Sequence, residues 1–141
     1  MLLDVNVPIA LLDDAHLCSG RANEWLDAAS RRRIATCPIV ENGVVRIMSA
    51  PACSATHRAT PEQIVAGLKA LAEGLDHEFW PDDASLLDDS LFDFGRLHGH
   101  RQITDAHPLA LAVRRGGRLA SLDAAVPSAA VLHASRHLIA L

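Results

Sequence analysis

The chain has 141 residues, half of them apolar and 21% charged, and 13 basic against 17 acidic side chains leave a net charge of −4. That balance excludes a disordered or collagen-like chain. It also excludes a molecule that grips polyanions by overall charge, so nucleic acid has to be met by a local patch. With 4% aromatic residues and no Tyr, the chain is poorly supplied with stacking platforms for single strands. The length suits one domain over residues 1–141. No run reaches the roughly 20 apolar residues of a bilayer span, and Asp4 interrupts an N-terminal stretch that has no basic n-region. Cys18, Cys37 and Cys53 are odd in number and lack CxxC spacing, which fits a reducing cytoplasm rather than a disulfide framework or a cysteine zinc site.

In chain order, Met1–Asp4 reads as a short buried strand, after which Asn6 caps a helix with Pro8 in its first turn. The spacing of Ala22, Trp25, Leu26 and Ala29 predicts a helix over Arg21–Arg33, closed by three arginines where cations suit the helix dipole. Ile34–Thr36 is a strand, and Pro38 opens a helix to Met48. A turn-rich stretch leads into Thr60-Pro61-Glu62-Gln63, an N-cap with a reciprocating Gln at the third helical position. The helix continues through Ile64, Val65, Leu68, Leu71 and Ala72. His77–Trp80 reads as an edge strand stopped by Pro81, and Ser90–Leu97 as a short helix. Thr104-Asp105 starts a helix over Ala106–Arg115 that Gly116-Gly117 ends. Arg118–Leu122 and Val131–Ala134 are the last two strands. This alternation predicts an α/β fold with a mostly parallel sheet, in which ligands bind beyond the carboxyl ends of the strands.

Four acids stand out against that frame. Asp4 and Asp123 each close an apolar strand. Glu41 shares its helix face with Val44, Val45 and Met48, a core-facing stripe where an unpaired carboxylate is costly. Asp105 sits in the first turn of its helix, on the face of Pro108, Leu109 and Ala112. Singly, each has an ordinary structural use: a favourable charge at a helix N-terminus, a turn, or an acceptor for nearby N–H groups. Together, carboxylates meeting at one sheet edge raise one another's pKa unless a cation sits among them. The chain's one lysine, Lys69, falls mid-helix. A hard divalent ion that prefers oxygen ligands answers the need, and such a site can activate water against a phosphodiester.

The segments Leu2-Leu3-Asp4-Val5-Asn6-Val7, Thr36-Cys37-Pro38-Ile39-Val40-Glu41-Asn42-Gly43, Ile103-Thr104-Asp105-Ala106 and Gly117-Arg118-Leu119-Ala120-Ser121-Leu122-Asp123 resemble, in order, those of the PIN-domain ribonucleases. They are most similar to the toxin members of VapB–VapC toxin–antitoxin pairs. The resemblance spans Asp4 to Asp123. It implies a three-layer α/β/α sandwich and an endoribonuclease dependent on Mg²⁺ or Mn²⁺. It further implies a homodimer restrained by a VapB-like antitoxin. By the same resemblance Asp4 and Asp105 are metal ligands, Glu41 completes the acidic cluster and positions a metal or water, and Asp123 is a more variable fourth acid. Asn6 and Thr104 would orient the ligating carboxylates by hydrogen bonding. Ser121 stands where Thr is frequent, and Pro8 and His107-Pro108 depart from the family's usual residues.

Other readings are weaker. His98-Gly99-His100 puts two imidazoles on one side of an extended segment, but no further ligands of zinc spacing accompany them. A phosphoacceptor receiver domain would want adjacent acids after the first strand and a lysine near the last. A PIN-like domain that binds RNA or a partner without cutting is the alternative, against which the four acids argue. For RNA, cationic candidates are Arg46, Arg96, Arg101 and Arg114-Arg115, with His107 as a substrate contact or proton shuttle. An RNA substrate would present a single-stranded loop, where bases are unstacked. The helical residues 64–75 and 22–26 either offer a groove for an antitoxin segment or pack as ordinary core.

Overall fold

Short apolar runs separated by amphipathic helices leave the backbone one economical solution: parallel strands in the middle, joined by crossover helices. The computed structural model describes residues 1–29, 33–50 and 59–141. Among these, five strands, β1 (Leu2–Leu3), β2 (Ile34–Thr36), β3 (His77–Phe79), β4 (Leu119–Ser121) and β5 (Leu138–Ala140), form one sheet. Its order is β3-β2-β1-β4-β5, with every pairing parallel. The helices are α1 (Asn6–Leu12), α2 (Ser19–Ala29), α3 (Pro38–Met48), α4 (Pro61–Glu73) and α5 (Arg101–Arg114). No helix among the described residues is long and apolar enough to cross a membrane.

The pleat sends alternate residues to opposite layers. Leu2, Ala35 and Leu119 join Val40 and Val44 of α3 and Leu109 and Leu111 of α5 in one core. Leu3, Ile34 and Ala120 join Val7 of α1 and, at its margin, Trp25 of α2 in the other. The result is the three-layer α/β/α arrangement expected from the PIN resemblance. Because β1 is central, its last residue opens at the middle of the sheet's carboxyl edge, where the strand order reverses between β1 and β4.

Pro38–Met48, Ile34–Thr36 and the Thr60/Gln63 capping box form as predicted; in the box Thr60 N–H donates to Gln63 Oε1 (2.8 Å) and Gln63 N–H to Thr60 Oγ1 (3.2 Å). Five expectations need correction. Asn6 is the first residue of α1 and not its cap, since its amide is taken up by Asp4 and Ser121. The second helix starts at Ser19 and not Arg21. Its predicted arginine close falls partly on residues 30–32, outside the described residues, and Arg33 instead precedes β2 and pairs with Asp76 at 3.4 Å. Residues 90–97 hold only a 3-10 turn, Phe94–Arg96, because Phe92 is drawn into an isolated antiparallel bridge with Val131. That bridge also occupies the predicted 131–134 strand, so the fifth strand forms later, after His133 has reversed the chain at a left-handed φ of 63°. Finally, α5 begins at Arg101 and continues through Pro108, which places Asp105 in the second turn. The predicted turn at residues 51–58 lies outside the described residues.

Candidate active site

Asp4 follows β1 and Ser121 ends β4, and the parallel register sets them side by side. Asp4 is 8% exposed and Ser121 wholly buried. Asp4 Oδ1 accepts the Val5 N–H (2.8 Å), and Oδ2 accepts Asn6 Nδ2 (2.8 Å) and the Ser121 hydroxyl (2.5 Å). Asn6 also donates to Ser121 Oγ (3.1 Å), while its Oδ1 accepts the Leu122 N–H (3.0 Å). Asp123 N–H donates to Ser121 Oγ (3.0 Å), and Asp123 Oδ1 accepts the Ala125 N–H (2.7 Å). One hydrogen-bonded knot therefore fixes the ends of two neighbouring strands and holds Asp4 and Asp123 beside each other.

Asp105 faces the same place from α5. Burial pushes its carboxyl above the usual range, and the charges of Asp4 and then Asp123 push it further. Burial likewise raises the Asp4 carboxyl, with the Asp123 charge adding to it, against bonds from Ser121, Val5 and Asn6 that pull it down. Asp4 and Asp105 thus share a partly desolvated space that the Asp123 charge borders. Among the described residues no Arg or Lys forms an ion pair with Asp4, Asp105, Asp123 or Glu41.

Glu41 is placed differently. Its Oε1 accepts the Thr36 hydroxyl at 2.6 Å, and Thr36 Oγ1 is in turn 2.8 Å from His77 Nε2. The carboxylate lines a groove of about 570 Å³ between α3, α4 and the β2–β3 edge, and Val5, next to Asp4, lies against Gly43 of the same α3. This groove is bordered by Val65, Leu68, Leu71 and Ala72 of α4 and not by residues 22–26, where Ala22 is core. Among the described residues no three His, Cys, Asp or Glu side chains form a ready-made metal cage. The donor chemistry nevertheless suits a hydrated hard ion: Mg²⁺ keeps several waters and takes one or two carboxylates, and two mutually repelling, pKa-raised aspartates with no Arg or Lys ion pair among the described residues are such donors.

The remaining predicted residues divide. Asn6 bonds Asp4, but Thr104 is exposed and makes no side-chain hydrogen bond to Asp105 among the described residues; consecutive helical residues point about 100° apart. Arg46 and Arg101 are exposed; Arg96 is tied to Asp93 at 2.8 Å. Arg114 and Arg115 reach Asp83, and Arg115 lies over the Trp80 ring. His107 is not brought to the cleft. It is 8% exposed, its Nε2 lies 2.9 Å from the Ala84 carbonyl oxygen and 3.3 Å from Asp82, and its Nδ1 has no hydrogen-bond partner among the described residues. Two residues from Asp105, it points from the opposite side of α5 and latches the 81–92 segment. His98 and His100 are exposed on the approach to α5. The sequence reading gave no role to Thr36, His77 or Ser121; a hydroxyl at the carboxyl end of each strand beside β1 was the available signal.

No family model matches the chain. Three curated proteins of Mycobacterium tuberculosis are similar along nearly all of it: Ribonuclease VapC44 (38% identical over 142 residues, 99% of this chain and 96% of the relative), Ribonuclease VapC39 (42% over 129 residues, 92% of each) and Ribonuclease VapC38 (42% over 127 residues, 89% of this chain and 86% of the relative). Similarity at that level and over that length, on a parallel sheet whose carboxyl edge gathers three aspartates, has one consequence: the chain belongs to the VapC ribonucleases.

Proposed function

We propose that this protein is a divalent-metal-dependent endoribonuclease and the toxin of a toxin–antitoxin pair. The observation that carries the reading is the meeting of buried Asp4 and half-buried Asp105 beside exposed Asp123, with no Arg or Lys ion-paired to any of the three among the described residues. The relatives' names support cleavage of RNA. Asp4 and Asp105 would hold the ion, Mg²⁺ or Mn²⁺, with Asp123 adding charge beside them. When bound, such an ion supplies a water made nucleophilic at neutral pH and neutralises charge on the phosphoryl oxygens.

The chain's own residues do the positioning. Ser121 and Asn6 hold Asp4 in one rotamer, so that its outward lone pairs meet the ion without losing side-chain freedom on binding. Glu41, clamped through Oε1 by Thr36, leaves Oε2 for a water or the RNA. Exposed Arg46 and Arg101 would take RNA phosphates beside an otherwise anionic cleft. The residues 1–141 would act as one domain, as a cytoplasmic homodimer restrained by a VapB-like antitoxin.

The test is direct. Asp4→Asn and Asp105→Asn each abolish cleavage of RNA and growth arrest, leave the circular dichroism spectrum unchanged, and lose Mn²⁺ binding by calorimetry. EDTA stops the wild-type enzyme, and Mg²⁺ or Mn²⁺ restores it. Full activity in either variant defeats the assignment, and restoration by Zn²⁺ alone would transfer the site to the histidines. A wild-type chain that binds RNA but takes up no Mn²⁺ and cuts nothing would be the inert binding domain instead.

A further inference from the structure

The groove beside Glu41 is larger than the chemistry of the three aspartates requires, and its lining has a definite chemical order. Val45, Val65, Leu68 and Leu71 make apolar walls, and Glu41, Thr36 and His77 close one end. Thr36 has a single hydroxyl proton and gives it to Glu41 Oε1, so the lone pair facing His77 is an acceptor and His77 Nε2 carries the hydrogen. Glu41 Oε2 accepts no hydrogen bond among the described residues. The groove thus ends in a fixed carboxylate that only accepts, flanked by surfaces suited to the faces of a flat heterocycle. The chain's one lysine, Lys69, is exposed at the rim, where an ammonium suits a phosphate. Leu3, in the groove wall, directly precedes Asp4.

We propose that this groove binds a guanine base of the RNA substrate next to the scissile phosphate, with Glu41 reading its pairing edge. Guanine is the RNA base that offers two adjacent donors, N1–H and the 2-amino group, to one carboxylate. Adenine and cytosine set an unprotonated ring nitrogen beside their amino group, which a carboxylate repels. Uracil flanks its one N–H with two carbonyls. Leu3 and Thr36, which line the groove, end β1 and β2, and Asp4 follows the first of these strands. The inference rests on the ribonuclease reading for its substrate, but its test does not depend on cleavage.

Titration of the full-length chain in EDTA with 5′-GMP, followed by methyl NMR, shifts Val45, Val65, Leu68 and Leu71. 5′-UMP binds there about tenfold more weakly or worse, as expected for losing a charge-assisted bond. Val65→Trp, at a position 37% exposed on α4, fills the groove and removes the GMP response. Glu41→Gln, should the first variant fold poorly, erases the preference for GMP over UMP. Equal response to GMP and UMP, GMP shifts confined to other methyls, or a Val65→Trp chain that still responds would each overturn the site. So would shifts produced only by an amphipathic peptide from the antitoxin and by no nucleotide. Because neither metal nor cleavage enters the measurement, these failures leave the aspartate site standing, and loss of Mn²⁺ binding there leaves the groove result standing.

Discussion

Ser121→Ala is the sharpest probe of how Asp4 is held. The hydroxyl is wholly buried, donates to Asp4 Oδ2, and accepts from Asn6 Nδ2 and the Asp123 N–H. Its removal deletes one bond to a charged acceptor, worth about 1.5–3 kcal/mol. The exposed Asp123 amide recovers water and costs little, and Asn6 keeps Asp4 as a partner. A loss of about 2 kcal/mol, at about 3–5 °C per kcal/mol for a chain of this size, lowers Tm by about 6–10 °C. The same bond pulls the Asp4 carboxyl down, so without it the carboxyl rises further and metal has to displace a more tightly held proton. Losing a residue that orients a metal ligand typically weakens affinity about 10–100-fold. Calorimetry with Mn²⁺ and a differential scan on the same sample read both effects, and Ser121→Thr, which restores the hydroxyl, recovers both. A Ser121→Ala chain with Tm within about 1 °C of wild type and unchanged Mn²⁺ affinity would refute the idea that this hydroxyl holds Asp4.

Other outcomes follow from the same structure. In EDTA the chain loses stability as pH rises through the window above 3.8: Asp4 and Asp105 have raised native carboxyls, so the native state binds more protons than the unfolded one there. Asp105→Asn flattens this slope in thermal scans across pH, and saturating Mn²⁺ does so for the wild type. Gly43→Ala sets a Cβ 2.9 Å from Val5 Cγ2, beside Asp4; it costs about 1–3 kcal/mol by overpacking and lowers the cleavage rate, measured by melting and by a fluorogenic RNA. Gly117→Ala drives a methyl group into the Trp80 ring, with a similar loss of stability and a shift in tryptophan emission. His107→Phe removes the bond to the Ala84 carbonyl and costs about 1–2 kcal/mol; limited proteolysis then cuts within residues 81–92 sooner than in the wild type.

Much of this was legible in the sequence, for local reasons. Thr60 and Gln63 form their capping box three residues apart, and Pro38 marks the start of α3, because those signals involve only near neighbours. Asp4 and Asp123 stood out because strands that close on an acid are uncommon in a buried sheet. What failed depended on distant partners. The helix expected at residues 90–97 is cancelled by Val131, some forty positions away, and the 81–92 segment is set by His107, Arg114 and Arg115 of α5. The oddness of Glu41 on an apolar stripe is visible in the sequence and its partner Thr36 lies only five residues away, but the His77 ring that reaches the same hydroxyl is brought there by the β2–β3 register, which no local pattern encodes. The sequence pattern sets Asp105 at a helix start, but α5 begins a turn earlier, which removes the dipole as a reason for its presence.

The strand order carries a consequence for when the aspartate site can assemble. During synthesis β1 emerges first, yet the neighbour that completes the Asp4 knot is β4, more than a hundred residues downstream. A ribosome-bound or prematurely terminated chain ending before Leu119 carries Asp4, Glu41 and Asp105 but lacks the Ser121 hydroxyl that joins Asn6 in holding the first of them. Assembly of the aspartate site is thereby deferred until β4 has been made and has paired with β1.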